Sequence, residues 1–281
     1  MNLNTIVKSY RPPNDEGVVQ HDAVVAVSRL KAAAAEKPVN ISHVALACNE
    51  LCSVCDAGLA DRCLAAKCGA YDVLTSFLRC DNGADYIPVV LPVLLSLVDG
   101  QPDILELHGA TRIVNILRDS VVPVDVVVTA LNLIRRCCIL HEANRQQFVA
   151  LDIIPLTAGL LTTHHSHREV VQAVCAVFSA LTLDDDVRVP YGKSHEHAKA
   201  IVIEGRAIDT VLQLTSGTGT YLVLLCFTFK ILLLMNIKPI PHHLMQRHET
   251  LILGNSVPLL RADWSGLHLH FVSNNIVLSL Y

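Results

Sequence analysis

Apolar residues recur along this chain at the spacing of one helix face, in helix-length segments separated by short polar turns. The first segment is AVVAVSRLKAAAAEK from Ala23, which is rich in strong helix formers and ends at Pro38. Dipeptides such as Asp99-Gly100 indicate the turns. Because no segment keeps a sustained alternation of apolar and polar residues, we expect helices throughout and no sheet.

Four stretches of the chain resemble one another, and each reads as a short amphipathic helix followed by a break. They are DRCLAAKCGA from Asp61, QPDILELHGA from Gln101, NRQQFVALDI from Asn144 and HAKAIVIEGR from His197. The breaks fall at Gly69, Gly109, Asp152 and Gly205, which are 40, 43 and 53 residues apart. Glycine and aspartate suit a break because they tolerate the left-handed backbone conformation.

A second apolar helix and a longer third helix follow the break in each complete unit. A period of about 40 to 47 residues with two or three helices is typical of HEAT and armadillo arrays. We therefore predict an all-α, armadillo/HEAT-like right-handed superhelical solenoid of three to four repeats over residues 23–216. Such units cover one another's apolar faces by stacking, and the stack offers a long concave surface.

The segment NRQQFVALDIIPL from Asn144 resembles the armadillo repeat consensus, in which an Asn-Arg or Asn-Lys pair opens one helix and a Gly-Ala-Ile-Pro-like break starts the next. RCLAAKCGAY, LVDGQPDILELHGA, HEANRQQFV and LDDDVRVPYGKSHEHAKAIV are similar to a narrower group within that family, over about Leu3 to Thr215. The resemblance implies a non-catalytic protein-interaction scaffold. It also links the narrower group to differentiation of blood progenitor cells.

Residues 217–281 do not continue the repeat, and no break occurs where the next one is due. We interpret them as a divergent hydrophobic tail that derives from an alternative reading, such as translation through an intron. Residues 1–22 are interpreted as a flexible N-terminal arm. The apolar run at 220–235 contains Lys230 and is shorter than the roughly 20 residues of a bilayer-spanning helix. A membrane scaffold anchored through this run is an alternative.

Composition narrows the classes of function. The net charge is −4 without a basic run, which argues against nucleic-acid binding because that requires clustered Lys and Arg. The N-terminus carries charges and a Pro-Pro pair where a secretory signal would be apolar. The ten cysteines fall at mid-helix positions. We expect a cytoplasmic or nuclear protein with reduced, buried thiols and no cofactor.

Cysteines and histidines are the candidate metal ligands. Cys52-Ser-Val-Cys55 is a CxxC without a second pair, and with Cys48 it shares one helix face, which suits packing. The groups His164-His165-Ser166-His167 and His195-Glu196-His197 are interpreted as solvated loop residues, and neither has zincin spacing. A metal-binding or redox protein that uses these groups is an alternative function.

An acidic loop follows the last complete unit. Asp184-Asp185-Asp186 lacks the spacing of an EF-hand, so we predict no metal and a solvated turn in which Asp186 caps the next segment and Arg188 forms an ion pair. The candidate loop residues are Asp184, Asp185, Asp186, Arg188 and Tyr191. No P-loop, Rossmann or nucleophile-elbow motif is present, so we predict no catalytic residues.

The resemblance also bears on the partner. In armadillo proteins that hold extended basic peptides, a ladder of Asn residues on the third helices binds the peptide backbone. The corresponding positions here are Val93, Arg136 and Ser179, so we predict that the chain is not a nuclear import adapter of that type. We predict instead a groove for an acidic or helical protein partner. Its residues are Arg135, Arg136, Gln172, Phe178 and Ser179.

Overall fold

The computed structural model of the chain describes residues 21–78, 85–119, 121–207, 210, 267–272 and 275–280. The chain divides into two compact units, Met1–Ile237 and Lys238–Tyr281. The predicted arm at 1–22 lies almost wholly outside the described residues. The predicted boundary between array and tail at residue 216 stays a prediction.

The described part of the first compact unit consists of helices. These are α1 Asp22–Ala35, α2 Ile41–Ala57, α3 Leu59–Lys67, α4 Ala70–Ser76, α5 Ile87–Leu97, α6 Leu107–Arg118, α7 Val124–Cys138, α8 Glu142–Ala150, α9 Ile153–Thr163, α10 Arg168–Leu181 and α11 Ser194–Ile203, with a 3₁₀ turn at Pro102–Ile104 before α6.

The longer third helices of successive units pack on one another in the order α2, α5, α7, α10. We call this row the third-helix layer. The shorter helices α3, α4, α6, α8, α9 and α11 each pack against a member of it. Three units are complete, apart from a 3₁₀ turn in place of one first helix, and α1–α2 and α11 belong to partial units. The predicted all-α solenoid of three to four repeats is confirmed.

The core runs the length of the array because the third helices are covered on several sides. In α7, eight of 15 residues are buried, and in α10, nine of 14. Such a share exceeds the single apolar stripe of a surface helix, which indicates neighbours on more than one face. The buried side chains are mostly Leu, Val, Ile and Ala. Each third helix therefore packs against helices of its own unit and of a neighbouring unit.

Two of the four predicted breaks, Gly69 and Asp152, lie between helices, and a third, Gly205, follows the end of a helix. Gly69 and Asp152 adopt φ of 87° and 62°, the left-handed conformation expected where one helix ends and the next begins. At the last break α11 ends at Ile203, and the positive φ of 45° falls on Arg206 instead of Gly205. Gly69 and Asp152 therefore set the corner between the first and second helix of their units.

The predicted break at Gly109 is wrong, because Gly109 lies inside α6. The glycine is required there for a close approach: a Cβ would lie 2.0 Å from the Tyr71 hydroxyl of the preceding unit. That hydroxyl accepts a hydrogen bond from the backbone N–H of Glu106 at 3.0 Å. Gly109 thus makes room for a contact between units and does not form a turn.

The expectation of no sheet is wrong in the second compact unit. Strands β1 Leu267–Val272 and β2 Asn275–Leu280 form an antiparallel pair in which Leu267 is opposite Leu280. The sequence LHLHFV alternates apolar residues with His, a period of two that favours a strand. The run at 220–235 lies outside the described residues. Within the described ranges, no helix is long and apolar enough to cross a membrane.

The substitution Gly109→Ala is expected to lower the free energy of unfolding by about 1 to 3 kcal/mol, because its methyl group displaces the Tyr71 hydroxyl from the Glu106 N–H. Urea unfolding followed by far-UV circular dichroism measures the change. The control is Gly159→Ala in α9, where the added methyl meets nothing within 4 Å and should stabilise by about 0.5 to 1 kcal/mol. Equal effects of the two substitutions would contradict the close approach.

Candidate interaction site

The third helices are capped by side chains from the unit that follows. Arg62 of α3 donates through Nη1 to the carbonyl of Cys55, near the end of α2, at 2.9 Å. Arg145 of α8 donates in the same way to the carbonyl of Cys138, at the end of α7, at 2.7 Å. The last carbonyls of a helix lack partners within it and carry partial negative charge, so a guanidinium group is favourable there.

The other two third helices receive similar bonds from different side chains. Gln101 Nε2 donates to the carbonyl of Leu97 at 2.6 Å, at the end of α5. The buried ring of His197 lies 3.0 Å from the carbonyl of Leu181, at the end of α10, through Nδ1. Gln101 and His197 are the first residues of two of the four similar stretches. Each stretch therefore begins by capping the third helix before it.

Arg145 is a buried charge with 0% of its side chain exposed. Its Nε donates to Glu142 and its Nη1 donates to Asp185, both at 2.7 Å. Glu142 is buried too, and it accepts the side-chain amide of Gln146 and the backbone N–H of Lys193, each at 2.9 Å. A buried ion pair is tolerated when further hydrogen bonds satisfy the charged groups, as they do for Glu142.

Residues 183–193, between α10 and α11, fasten onto this ion pair, and we call them the clasp loop. Its Asp186 is 7% exposed and accepts the backbone N–H of Glu142 at 2.9 Å. Asp186 also accepts Nε of Arg188 at 2.8 Å and the Arg188 backbone N–H at 3.1 Å. The clasp loop is thereby held to the start of α8.

Arg188 extends the clasp loop to an earlier unit. Its Nη1 donates to Asp103 of the 3₁₀ turn at 2.6 Å, and its Nη2 donates to the carbonyl of Leu140 at 3.1 Å. His141 Nδ1 accepts the backbone N–H of Asn144 at 3.1 Å, so its ring proton is on Nε2, 2.9 Å from Asp103. The Asp103 carboxylate therefore binds two side chains from later segments, those of His141 and Arg188.

Hydrogen bonds keep the charges of this network in place. Hydrogen bonds from Arg188 and from the backbone N–H of Glu142 hold the pKa of Asp186 well below its usual range. A hydrogen bond from Arg188 also lowers the pKa of Asp103. Burial alone would raise the pKa of Glu142, but the hydrogen bonds that it accepts lower it. Burial alone would lower the pKa of Arg145, but its carboxylate partners raise it. These shifts favour the ionised forms of Asp103, Glu142, Arg145 and Asp186 at neutral pH.

The structure places the five candidate loop residues in different surroundings. Asp186 makes both contacts expected of it, a cap and an ion pair with Arg188. The expected solvated turn is wrong for Asp186, which is buried, and for Asp185, which is half-buried against Arg145. Asp184 and Tyr191 are exposed. The role of this loop in binding stays a prediction.

The predicted groove residues lie on the third-helix layer. Arg135 on α7 and Gln172 and Ser179 on α10 are half-buried, so part of each side chain reaches the surface. Arg136 is also half-buried, and its guanidinium forms an ion pair with Asp99 just after α5. Arg136 therefore already joins two third helices. That these residues bind a partner stays a prediction.

Phe178 does not belong to the groove surface, because its side chain is fully buried in the core. It lies four residues after Val174 and three residues before Leu181, which are also buried. Residues at these spacings share one helix face. The error arose because the sequence alone did not show which face of α10 turns toward its neighbours.

The CxxC thiols are held in the protonated form. Burial raises the pKa of Cys48 and of Cys55 to about 12, and it also raises that of the half-buried Cys52. The thiolate is the form that binds metals and acts as a nucleophile. The expected packing role fits this burial. Within the described ranges, no three His, Cys, Asp or Glu side chains are placed to hold a metal ion.

The two histidine groups differ. Residues 164–167 lie between α9 and α10, in the turn expected for them. The interpretation of residues 195–197 as a solvated loop is wrong, because they form the first turn of α11 and His197 is only 4% exposed. The repeat explains the difference, since His197 takes the position from which Asn144 donates to the Cys137 carbonyl at 2.8 Å in the preceding unit.

Asp103, His141, Glu142 and Arg145 are parts of one network that was not predicted from the sequence. Arg145 and Glu142 are only three positions apart, but the contacts that join them to other segments are distant in sequence. His141 and Asp103 are 38 positions apart, and Arg188 and Asp103 are 85 apart. Such pairs leave no local pattern. The available signal was the 53-residue spacing of the last two breaks, which indicates extra residues between units.

The substitution Arg145→Met is expected to lower the free energy of unfolding by about 3 to 5 kcal/mol, because Glu142 would stay buried without its cation. Urea unfolding at neutral pH measures the loss. Arg118→Met is the matched control: Arg118 also donates to a backbone carbonyl, that of Leu151 at 2.9 Å, but from an exposed position. Its loss should cost about 1 kcal/mol or less. Similar losses for both variants would contradict the buried network.

Acid is expected to weaken the network because the folded state lowers the pKa of Asp103, Glu142 and Asp186. A carboxyl group with a lowered pKa contributes stability above its unfolded pKa of about 4, and this stability is lost as the pH falls toward the folded value. Urea midpoints measured between neutral pH and pH of about 3 should fall more steeply for the natural chain than for Asp186→Asn. Parallel curves would show that Asp186 does not contribute.

No protein-family profile matches this chain. It is similar to armadillo repeat-containing protein 6 of Pongo abelii and of Homo sapiens, with 31% identity in each case over 222 residues, which are 77% of this chain and 44% of the relative. The Drosophila melanogaster homolog is 29% identical over 221 residues, 76% of this chain and 46% of the relative. The chain thus spans less than half the length of the curated relatives it matches.

Among solved structures, a crystal structure of an engineered protein covers 77% of this chain and 97% of its own at 11% identity, with a TM-score of 0.42 that is too low to bear on the fold. The identity to the curated relatives confirms the resemblance of the repeat stretches. Together with the three-helix units of the array, it shows that this chain is a homologue of armadillo repeat-containing protein 6 over 77% of its length.

Proposed function

We propose that this chain is a non-catalytic scaffold that binds a protein partner along the third-helix layer. The observation that carries the proposal is the continuity of that layer, in which α2, α5, α7 and α10 pack in succession. A partner laid across it would meet side chains from several units at once. Extended surfaces of this kind are the usual binding surfaces of solenoid proteins.

The chemistry of the layer favours a partner with acidic or amide groups. Arg135, Gln172 and Ser179 offer hydrogen-bond donors on two neighbouring helices, and each is half-buried, which limits the side-chain entropy lost on binding. An asparagine ladder does not hold the partner, since the ladder positions are Val93, Arg136 and Ser179, and Val93 is buried. We therefore propose that the chain is not a nuclear import adapter of the peptide-ladder type.

A reducing compartment, the cytoplasm or the nucleus, is the proposed site of action. The described cysteines, eight in number, are all free thiols, and five of them are buried in the array. Proteins of oxidising compartments commonly use their cysteines in disulfides. The burial of these thiols supports the proposal because a buried thiol contributes to the apolar core only while it stays reduced.

The alternative functions gain no support from the described residues. A metal or redox site would need thiolates or converging ligands, whereas burial raises the thiol pKa values and no ligand group is placed for a metal within the described ranges. A tail anchored in a membrane depends on residues 220–235, which lie outside the described part of the chain.

Site-specific photo-crosslinking tests the proposal. A photoreactive amino acid is placed at Arg135 or Gln172 in the full chain, and Thr162, exposed on α9, is the control position. In the cells that express the chain, discrete adducts identified by mass spectrometry are expected from the two third-helix positions and not from Thr162. No adducts, or the same adducts from all three positions, would refute a partner on this layer.

The charge-reversal variant Arg135→Glu tests the energetics with the purified adduct protein. We expect about a tenfold loss of affinity, which corresponds to about 1.4 kcal/mol. Arg135 is preferred to Arg136 because Arg136 pairs with Asp99, whereas Arg135 forms no ion pair within the described residues. Unchanged far-UV circular dichroism and melting temperature would show that the fold is intact. An unchanged affinity would remove Arg135 from the interface.

A further inference from the structure

The clasp loop presents apolar side chains to solvent although its backbone is firmly held. Val187 is 98% exposed and Tyr191 is 90% exposed. Val187 lies between Asp186 and Arg188, the two residues that anchor the loop. Leu140, 58% exposed, adjoins them: its N–H donates to Asp185 at 3.2 Å and its carbonyl accepts Arg188. We call Leu140, Val187 and Tyr191 the corner patch.

Leu140 is an unfavourable residue for its position unless something covers it. Its φ is 56°, in the left-handed region that is sterically unfavourable for a residue with a Cβ and that glycine adopts freely. The exposed side chain gains little from burial in return. Neither the backbone conformation nor the packing of the described residues accounts for a leucine here. Backbone strain of this kind is concentrated at binding and catalytic sites.

The charge around the corner patch is negative. Four carboxylates belong to the network that anchors the clasp loop, those of Asp103, Glu142, Asp185 and Asp186, and Asp184 lies in the loop itself. The guanidinium groups of Arg145 and Arg188 and the ammonium group of Lys193 balance them only in part. Both guanidinium groups are engaged with these carboxylates, and Lys193 lies 3.7 Å from Glu196. Asp103 and Asp184 remain exposed to solvent. Exposed carboxylates beside apolar side chains favour a partner of opposite charge.

We infer that the corner patch binds a basic segment of another protein. Apolar side chains of that segment cover Leu140, Val187 and Tyr191, while its Lys or Arg residues face Asp103 and Asp184. The hydrogen bonds of the clasp loop hold its backbone before binding, which reduces the entropy lost in the complex. Tyrosine is enriched among the residues that contribute most to protein interfaces. This surface is distinct from the third-helix layer and rests on the proposed function only in that the chain binds proteins.

Peptide selection tests the inference with the full chain. A random peptide library displayed on phage is selected on the purified protein, and the most enriched peptide is synthesised with a fluorophore for anisotropy titration. We expect enriched peptides that combine Lys or Arg with apolar residues, and binding that weakens as salt is added. Enriched peptides without basic residues, or binding that is indifferent to salt, would overturn the inference.

The variant Leu140→Gly separates binding from folding. Glycine fits the left-handed backbone, so urea unfolding should show no loss of stability, while the affinity for the enriched peptide should fall about tenfold or more. Val121→Ser is the matched control, because Val121 is 85% exposed in the turn before α7, away from the clasp loop in sequence. Its affinity should equal that of the natural chain. Equal affinity of Leu140→Gly and the natural chain would overturn the inference.

Two further results would assign the surface differently. If Arg135→Glu abolishes binding of the enriched peptide and Leu140→Gly does not, the peptide occupies the third-helix layer; the proposed function stands and the corner patch is refuted. If sedimentation shows a dimer that Leu140→Gly dissociates, the occupant is a second copy of this chain, which also overturns the inference.

Discussion

The hydrogen bonds that cap the ends of the third helices are the constraint on which the rest of the array depends. A helix that ends at a unit boundary leaves its last carbonyls without partners, and each such group costs free energy when it is buried unpaired. Here the following unit supplies the donors: Arg62, Gln101, Asn144 with Arg145, and His197. The two arginines reach back the same seven positions. This bond therefore fixes where each new unit begins relative to the helix before it.

Much of the helical array could be predicted from the sequence because the repeat determines the spacing of apolar residues and of breaks. The apolar periods located the helices, and the breaks at Gly69 and Asp152 followed from a local rule about left-handed residues. The same rule wrongly predicted a break at Gly109, because glycine is used both where φ is positive and where another group approaches the backbone closely. The two uses are distinguished here only by the position of the Tyr71 hydroxyl, which accepts the backbone N–H of Glu106, 35 residues later in the sequence. Phe178 failed for a related reason, since helical spacing gives the faces of α10 but not their neighbours.

Polar residues were the least predictable part. A local interpretation treats Asp186 and His197 as solvated, because each lies in a hydrophilic stretch. The structure buries both, since each satisfies a backbone group of another segment: the N–H of Glu142 for Asp186 and the carbonyl of Leu181 for His197. Buried polar groups in folded proteins are nearly always paired, and here the partners come from distant segments. Alignment of the repeats shows that His197 takes the place of Asn144, so the periodicity contains information that the local composition does not.

The clasp loop changes how the array holds together. In a solenoid each unit contacts only its neighbours, so stability is approximately a sum of units and interfaces. Arg188 departs from this scheme, because it bonds Asp103, Leu140 and Asp186, which lie in three successive segments. Loss of order in any one of these segments removes a partner from the other two. The units at this corner are therefore coupled more tightly than stacking alone would make them. The extra residues behind the 53-residue spacing do more than lengthen a turn, since they form a rigid support that presents Val187 and Tyr191 to solvent.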